Sequence, residues 1–233
     1  MVKAPDCGSG IRGFDSHHSP HLITMKILCF GDSNTYGFNP ADKTRFGETE
    51  RWTGVLQSLL GQKYEVIEEG CNNRTGFVRN PDGRPQSGTD YLPDCLSQLG
   101  ELDLLILALG TNDLQIQFNI DFQTVEAGLK NLIKLFKAQN PLGNIILIPP
   151  VVMDEDVMNG EFYYQFNEIS IKKSNEVAKI YIETAKKEKC EFFDINSFTS
   201  VSPLDGVHYS SESHKLIAEK LAEFIISLKS SVV

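Results

Sequence analysis

Apolar positions along this chain come in short unbroken runs that alternate with longer stripes at helical spacing. Ile27-Leu28-Cys29, the run from Leu104 to Leu109 and that from Ile145 to Ile148 are each followed closely by glycine or proline. Such runs suit strands buried on both faces of a parallel sheet. Tyr64 to Gly70 and Glu191 to Ile195 read as two further strands. The stripes lie between them. Trp52, Val55, Leu56, Leu59 and Leu60 mark a helix over 51–60, ended by Gly61. Val125, Leu129, Leu132, Ile133 and Phe136 mark a second over 122–136. Ile169, Val177, Ile180, Tyr181 and Ala185 mark a third over 167–187. Leu216, Ile217, Leu221, Phe224 and Ile225 mark a last one over 211–228. Stretches 39–50, 72–93 and 151–166 read as loops, the second dense in Gly, Pro, Asn and Arg. Alternation of strand and helix predicts a three-layer α/β/α sandwich around a parallel sheet of about five strands.

Composition narrows this only a little. With 233 residues, 41% hydrophobic and 23% charged, the chain suits one soluble domain large enough to hold its own core. A formal net charge of −9 disfavours nucleic acid or an anionic membrane as partner. No apolar stretch approaches the ~20 residues of a membrane span. Five scattered cysteines without Cys-x-x-Cys spacing argue against a disulfide framework or zinc site, and for a reducing, cytoplasmic setting. Residues 1–24, rich in Gly, Ser, Pro and His, read as an N-terminal extension or leader, and residues 25–233 as the domain.

The strand ends carry the candidate chemistry. Right-handed crossovers bring every carboxyl end to one edge. There the first strand delivers Gly31-Asp32-Ser33, the second Gly70-Cys71-Asn72-Asn73-Arg74-Thr75, and the central one Gly110-Thr111-Asn112-Asp113. Asp205-Gly206-Val207-His208 lies just before the last helix. Acyl transfer by serine needs a nucleophile, a base held by a carboxylate, and donors for the developing oxyanion. Ser33, His208 with Asp205, and Asn112 with the Ser33 N–H can supply these. His214, beside Lys215, reads as a solvated helix residue, and Asp113 as a brace for its loop. Each element alone has a plainer reading as a turn or helix cap; the four together do not.

These blocks resemble the SGNH hydrolases, also called the GDSL esterase/lipase family. Phe30-Gly31-Asp32-Ser33, Arg51-Trp52-Thr53-Gly54-Val55-Leu56, Val66 to Gly70, Tyr91-Leu92-Pro93 and Asp205 to His208 are most similar to its arylesterase/acyltransferase branch. The resemblance runs from about Met25 to the C-terminus. It implies a flavodoxin-like sandwich, no metal or other cofactor, a Ser33–His208–Asp205 triad, and a tendency to homo-oligomers. One departure stands out. The family's second block usually places a glycine N–H in the oxyanion hole, and counting from Gly70 that position is Asn73. Asparagine tolerates positive φ better than other non-glycine residues, so either Asn73 or Gly70 marks the block.

The expected activity is hydrolysis of short-chain or aryl esters through an acyl-enzyme, with acyl transfer to alcohols in competition. Phe38, Phe77, Phe162 and Tyr163 are candidate linings of the substrate pocket. Carbohydrate deacetylation and lysophospholipid or thioester cleavage fit the same mechanism. A flavodoxin-like phosphate or nucleotide binder is the non-enzymatic alternative, but it leaves Asp205 and His208 without a role.

Overall fold

The computed structural model describes residues 25–230; the leader expected over 1–24 lies outside the described residues. Five strands form one parallel sheet: β1 (Met25–Gly31), β2 (Tyr64–Gly70), β3 (Leu104–Ala108), β4 (Asn144–Ile148) and β5 (Glu191–Phe192). Their spatial order is β2-β1-β3-β4-β5. The helices are α1 (Ser33–Tyr36), α2 (Trp52–Leu60), α3 (Gly88–Leu99), α4 (Phe122–Gln139), α5 (Glu168–Glu188) and α6 (Ser211–Ser230). α2 packs with α6 on one face, and α3, α4 and α5 pack in a row on the other. Within the described residues no helix is long and apolar enough to cross a membrane.

Hydrophobic content follows strand position. Ile27 to Phe30 of β1, Leu104 to Leu107 of β3 and Ile145 to Ile148 of β4 are buried, since helices cover both faces of the sheet centre. The edge strand β2 is only half-buried and carries Glu65, Glu68 and Glu69. Each fully buried aliphatic side chain contributes about 1.5–3 kcal/mol over an exposed one. The central strands therefore dominate the stability of the sheet.

Two elements depart from expectation. The stretch read as loop up to Pro93 contains the start of α3. Ser87 caps it by accepting the Asp90 N–H, and returns its own hydroxyl to the Asp90 carboxylate. That cap, with Leu92, Cys95 and Leu96 buried, outweighs the cost of Pro93 in the second turn. β5 ends at Phe192 rather than Ile195, because the Asp194 side chain accepts the Asn196 N–H and starts a 3-10 turn over Ile195–Ser197.

The topology also locates a crevice. From β1 the chain moves outward to β2, then returns across β1 to β3, so the direction of winding reverses between β1 and β3. Ligands of open α/β sheets bind at such a switch point, beyond the carboxyl ends of the strands. Gly31 pairs in register with both Gly70 and Ala108. The segments leaving β1, β2 and β3 therefore begin level with one another.

Candidate active site

Ser33 is the first residue of α1, immediately beyond β1. Asp32 makes the turn: its backbone is extended and its carboxylate accepts the Asn34 N–H at 3.0 Å. The short helix rests directly on the end of β2. A Cβ at Gly70 would stand 2.1 Å from the backbone nitrogen of Tyr36, so only glycine lets α1 approach this closely. Asp32 is sealed in, and burial pushes its pKa up to about 6, against the Asn34 N–H bond and nearby charges.

On the far side of the crevice, residues 205–208 fold into a tight turn. Gly206 takes φ +68°, and a Cβ there would meet the Val157 backbone at 2.3 Å. One Asp205 oxygen accepts the N–H groups of Val207 at 3.0 Å and His208 at 2.9 Å. The other oxygen meets His208 Nδ1 at 2.7 Å, and His208 Nε2 meets Ser33 Oγ at 2.9 Å. The carboxylate holds the ring proton on Nδ1 and leaves Nε2 to face the serine hydroxyl. Burial works against charge on Asp205, yet the His208 contacts and the two amide donors together hold its pKa below the ordinary value. Ser33, Asp205 and His208 are thus one continuous hydrogen-bonded relay, almost wholly buried.

A residue to which the sequence reading gave no role keeps this relay in register. Asn34, next to Ser33, donates from Nδ2 to the Val207 carbonyl and accepts the Tyr209 N–H on Oδ1, both at 3.2 Å. It grips the chain on either side of His208, while its own carbonyl accepts Trp52 Nε1–H at 3.0 Å. No spacing or pattern marks such a residue, because its partners are backbone atoms from a distant loop.

Asn73 and Asn112 also come together. Asn73 adopts φ +61°, in the left-handed region that glycine favours, whereas Gly70 is the last paired residue of β2. The backbone N–H groups of Ser33 and Asn73 have no hydrogen-bond partner among the described residues. Asn112 donates one Nδ2 hydrogen to the Arg74 carbonyl at 3.1 Å, leaving the second. Arg74 in turn bonds the carbonyls of Gly31 and Glu69, with its guanidinium over the rings of Phe30 and Tyr91. Asp113 braces the neighbouring loop as expected, accepting the N–H groups of Gly76, Phe77 and Val78.

The four aromatic candidates divide. Phe38 lies tilted against the His208 ring at 4.3 Å between centroids, and Phe162 meets it edge-on at 5.3 Å. Phe77 instead packs against α4, where a Cβ at Gly128 would collide with its ring. Tyr163 is exposed and pairs with Tyr164. Expectation also fails at His214, which is fully buried rather than solvated. The surface it faces belongs to α2 and not to solvent: its Nδ1 accepts the Trp52 N–H at 3.3 Å.

The model of the GDSL-like lipase/acylhydrolase family matches residues 29–216. An inhibitor-bound aryl esterase from M. smegmatis superposes with a TM-score of 0.80 at 33% identity, over 88% of this chain and 99% of that one. A carbohydrate acetylesterase from Sinorhizobium meliloti superposes with a TM-score of 0.78 at 29% identity, over 88% and 99%. No curated protein sequence matches the chain.

Proposed function

This chain belongs to the GDSL-like lipase/acylhydrolase family and is a carboxylic ester hydrolase; we propose that it works as a serine esterase through Ser33, His208 and Asp205. Ser33 Oγ attacks the ester carbonyl while His208 Nε2 takes its proton. Asp205 stabilises the imidazolium that forms. The negative charge on the carbonyl oxygen is met by the N–H groups of Ser33 and Asn73 and the free Nδ2 hydrogen of Asn112. His208 gives its proton to the departing alcohol and the acyl group stays on Ser33. Water, deprotonated by His208, then releases the acid and restores the serine. The observation that carries this reading is the relay of 2.7 Å and 2.9 Å contacts from Asp205 through His208 to Ser33.

Phe38 and Phe162 supply an apolar wall beside the group that protonates the leaving alcohol. That wall favours aryl or other flat alcohols carrying short acyl groups, in keeping with the aryl esterase among the similar structures. By limiting water at His208 it also lets an added alcohol compete for the acyl-enzyme. A fluorophosphonate probe tests the core of the proposal. It should label Ser33 stoichiometrically and abolish p-nitrophenyl acetate hydrolysis; labelling elsewhere, or none, rejects the nucleophile. Comparing aryl acetates with acetylated sugars, and product partition with and without added alcohol, then tests the substrate assignment.

A further inference from the structure

Gln115 sits behind the oxyanion donors, buried, between two 3-10 turns at Asn112–Leu114 and Ile116–Phe118. Its Nε2 carries two hydrogens and has two acceptors: Asn73 Oδ1 at 2.9 Å and Asn112 Oδ1 at 3.1 Å. Its Oε1 accepts Gln117 Nε2 at 2.8 Å. Four carboxamides are therefore joined in one direction, from Gln117 to Gln115 and onward to Asn73 and Asn112. The Asn112 branch ends on its own Nδ2, of which one hydrogen goes to the Arg74 carbonyl.

We propose that Gln115 is a positioning residue that orients both non-serine oxyanion donors at once; this rests on the esterase reading above. An asparagine amide can turn its oxygen or its nitrogen toward a ligand with little change in shape. Only the nitrogen stabilises an oxyanion, and the oxygen would repel it. A donor from Gln115 on Asn112 Oδ1 removes that choice. The same nitrogen draws the Asn73 side chain aside, so that a residue standing where glycine is usual presents its backbone N–H without filling the pocket. Hydrogen bonds in such a chain polarise one another, which strengthens the terminal donor. Asn73 and Gln115 thus work as a pair: the side chain that replaces glycine is held by the amide that aligns Asn112.

A double-mutant cycle with p-nitrophenyl acetate tests this. Gln115→Met keeps the length of the side chain and removes its donors. It should lower kcat about 10–100-fold with little change in KM, short of the ~10²–10³-fold loss of a whole oxyanion donor. In an Asn112→Ala background the same substitution should cost no more than about threefold, because its main target is gone; such coupling is what a cycle measures. Gln115→Glu, with no donor and a demand for two, should lose more than Gln115→Met. A loss that is equal in both backgrounds, or follows the melting temperature, would show a merely structural residue and overturn the inference. So would an unchanged kcat for Gln115→Met when Asn112→Ala is impaired, and that result leaves the esterase reading standing. Full activity in Ser33→Ala would overturn the reading itself, and the inference with it.

Discussion

Two histidines six positions apart on the chain share burial and aromatic neighbours but nothing of their chemistry. His208 has the Asp205 carboxylate on one nitrogen and the Ser33 hydroxyl on the other. His214 has the Trp52 N–H on one nitrogen and, among the described residues, no hydrogen-bond partner on the other, with Phe46 and Tyr209 edge-on around it. Burial pushes the His214 pKa down to about 3, with the nearby His208 adding to the effect, so it stays a neutral acceptor at physiological pH. There it caps α2, whose N-cap residue Arg51 makes no side-chain cap bond. Enclosure alone turns a histidine into a structural acceptor. A buried carboxylate in line suits it to act as a base, the role proposed above, because that charge would stabilise an imidazolium.

The sharpest way to break this contrast is to remove each ring in turn. Ser33→Ala or His208→Ala should lower kcat for p-nitrophenyl acetate by a factor on the order of 10⁴ or more, whereas His214→Phe should leave kcat within a few-fold. Comparable losses at the two histidines would erase the distinction. Asp205→Asn tests the carboxylate itself. It should cost about 10⁴ in kcat with the fold intact, since an amide cannot hold the Nδ1 proton in the same way or balance the charge. A variant with near-native turnover would mean that His208 needs no partner.

Smaller effects sharpen the comparison further. Asn34→Ala frees Val207 and Tyr209 on either side of His208. A shift of the base by about 1 Å should reduce kcat up to about 10²-fold, with substrate affinity little changed. Steady-state kinetics and a melting curve on one preparation would separate misplacement from unfolding. The His214 prediction is one of pH. Its folded pKa of about 3 lies below the ordinary value of 6.5, so the unfolded chain binds the proton first. The stability it contributes is complete above pH 6.5 and is lost as pH falls toward 3, by at most about 1.4 kcal/mol per unit. Asp32 and Asp113, raised to about 6 chiefly by burial, act in the opposite sense: their contribution is present at low pH and fades as pH rises toward 6. Both proteins of a wild-type and His214→Phe pair share those carboxylates. The stability difference between the two should therefore shrink in wild type's disfavour on acidification. Urea titrations at several pH values measure it, and a constant difference would contradict a depressed His214 pKa.

Legibility in the sequence tracked the range of the interaction involved. The runs in β1, β3 and β4 were plain, because a strand covered on both faces has no polar position to spare. The helix α3 was not, since Pro93 and the glycines before it carry a local signal for loop that burial of Leu92, Cys95 and Leu96 overrides. Ser33, Asn112, Asp205 and His208 could be singled out because each follows or precedes an element at a strand end, where only a few residue types serve acyl chemistry. Asn34 and Gln115 could not. Their importance lies in bonds to Val207, Tyr209, Asn73 and Asn112, and a carboxamide beside a turn is unremarkable until those partners are in place.

By itself the sequence determined the order of the five strands and of the helices α2, α4, α5 and α6, the buried centre of the sheet and the residue types at its carboxyl edge. These depend on periodicity and on the short-range geometry of turns. Only the tertiary structure decided which histidine meets the serine across 175 positions of chain, which phenylalanines stand beside it, and that Asn73 takes a left-handed backbone conformation. Contacts of that kind depend on the register of five strands and the packing of α1 on β2. A difference of a few ångströms there separates a hydrogen bond from none, and no local pattern encodes it.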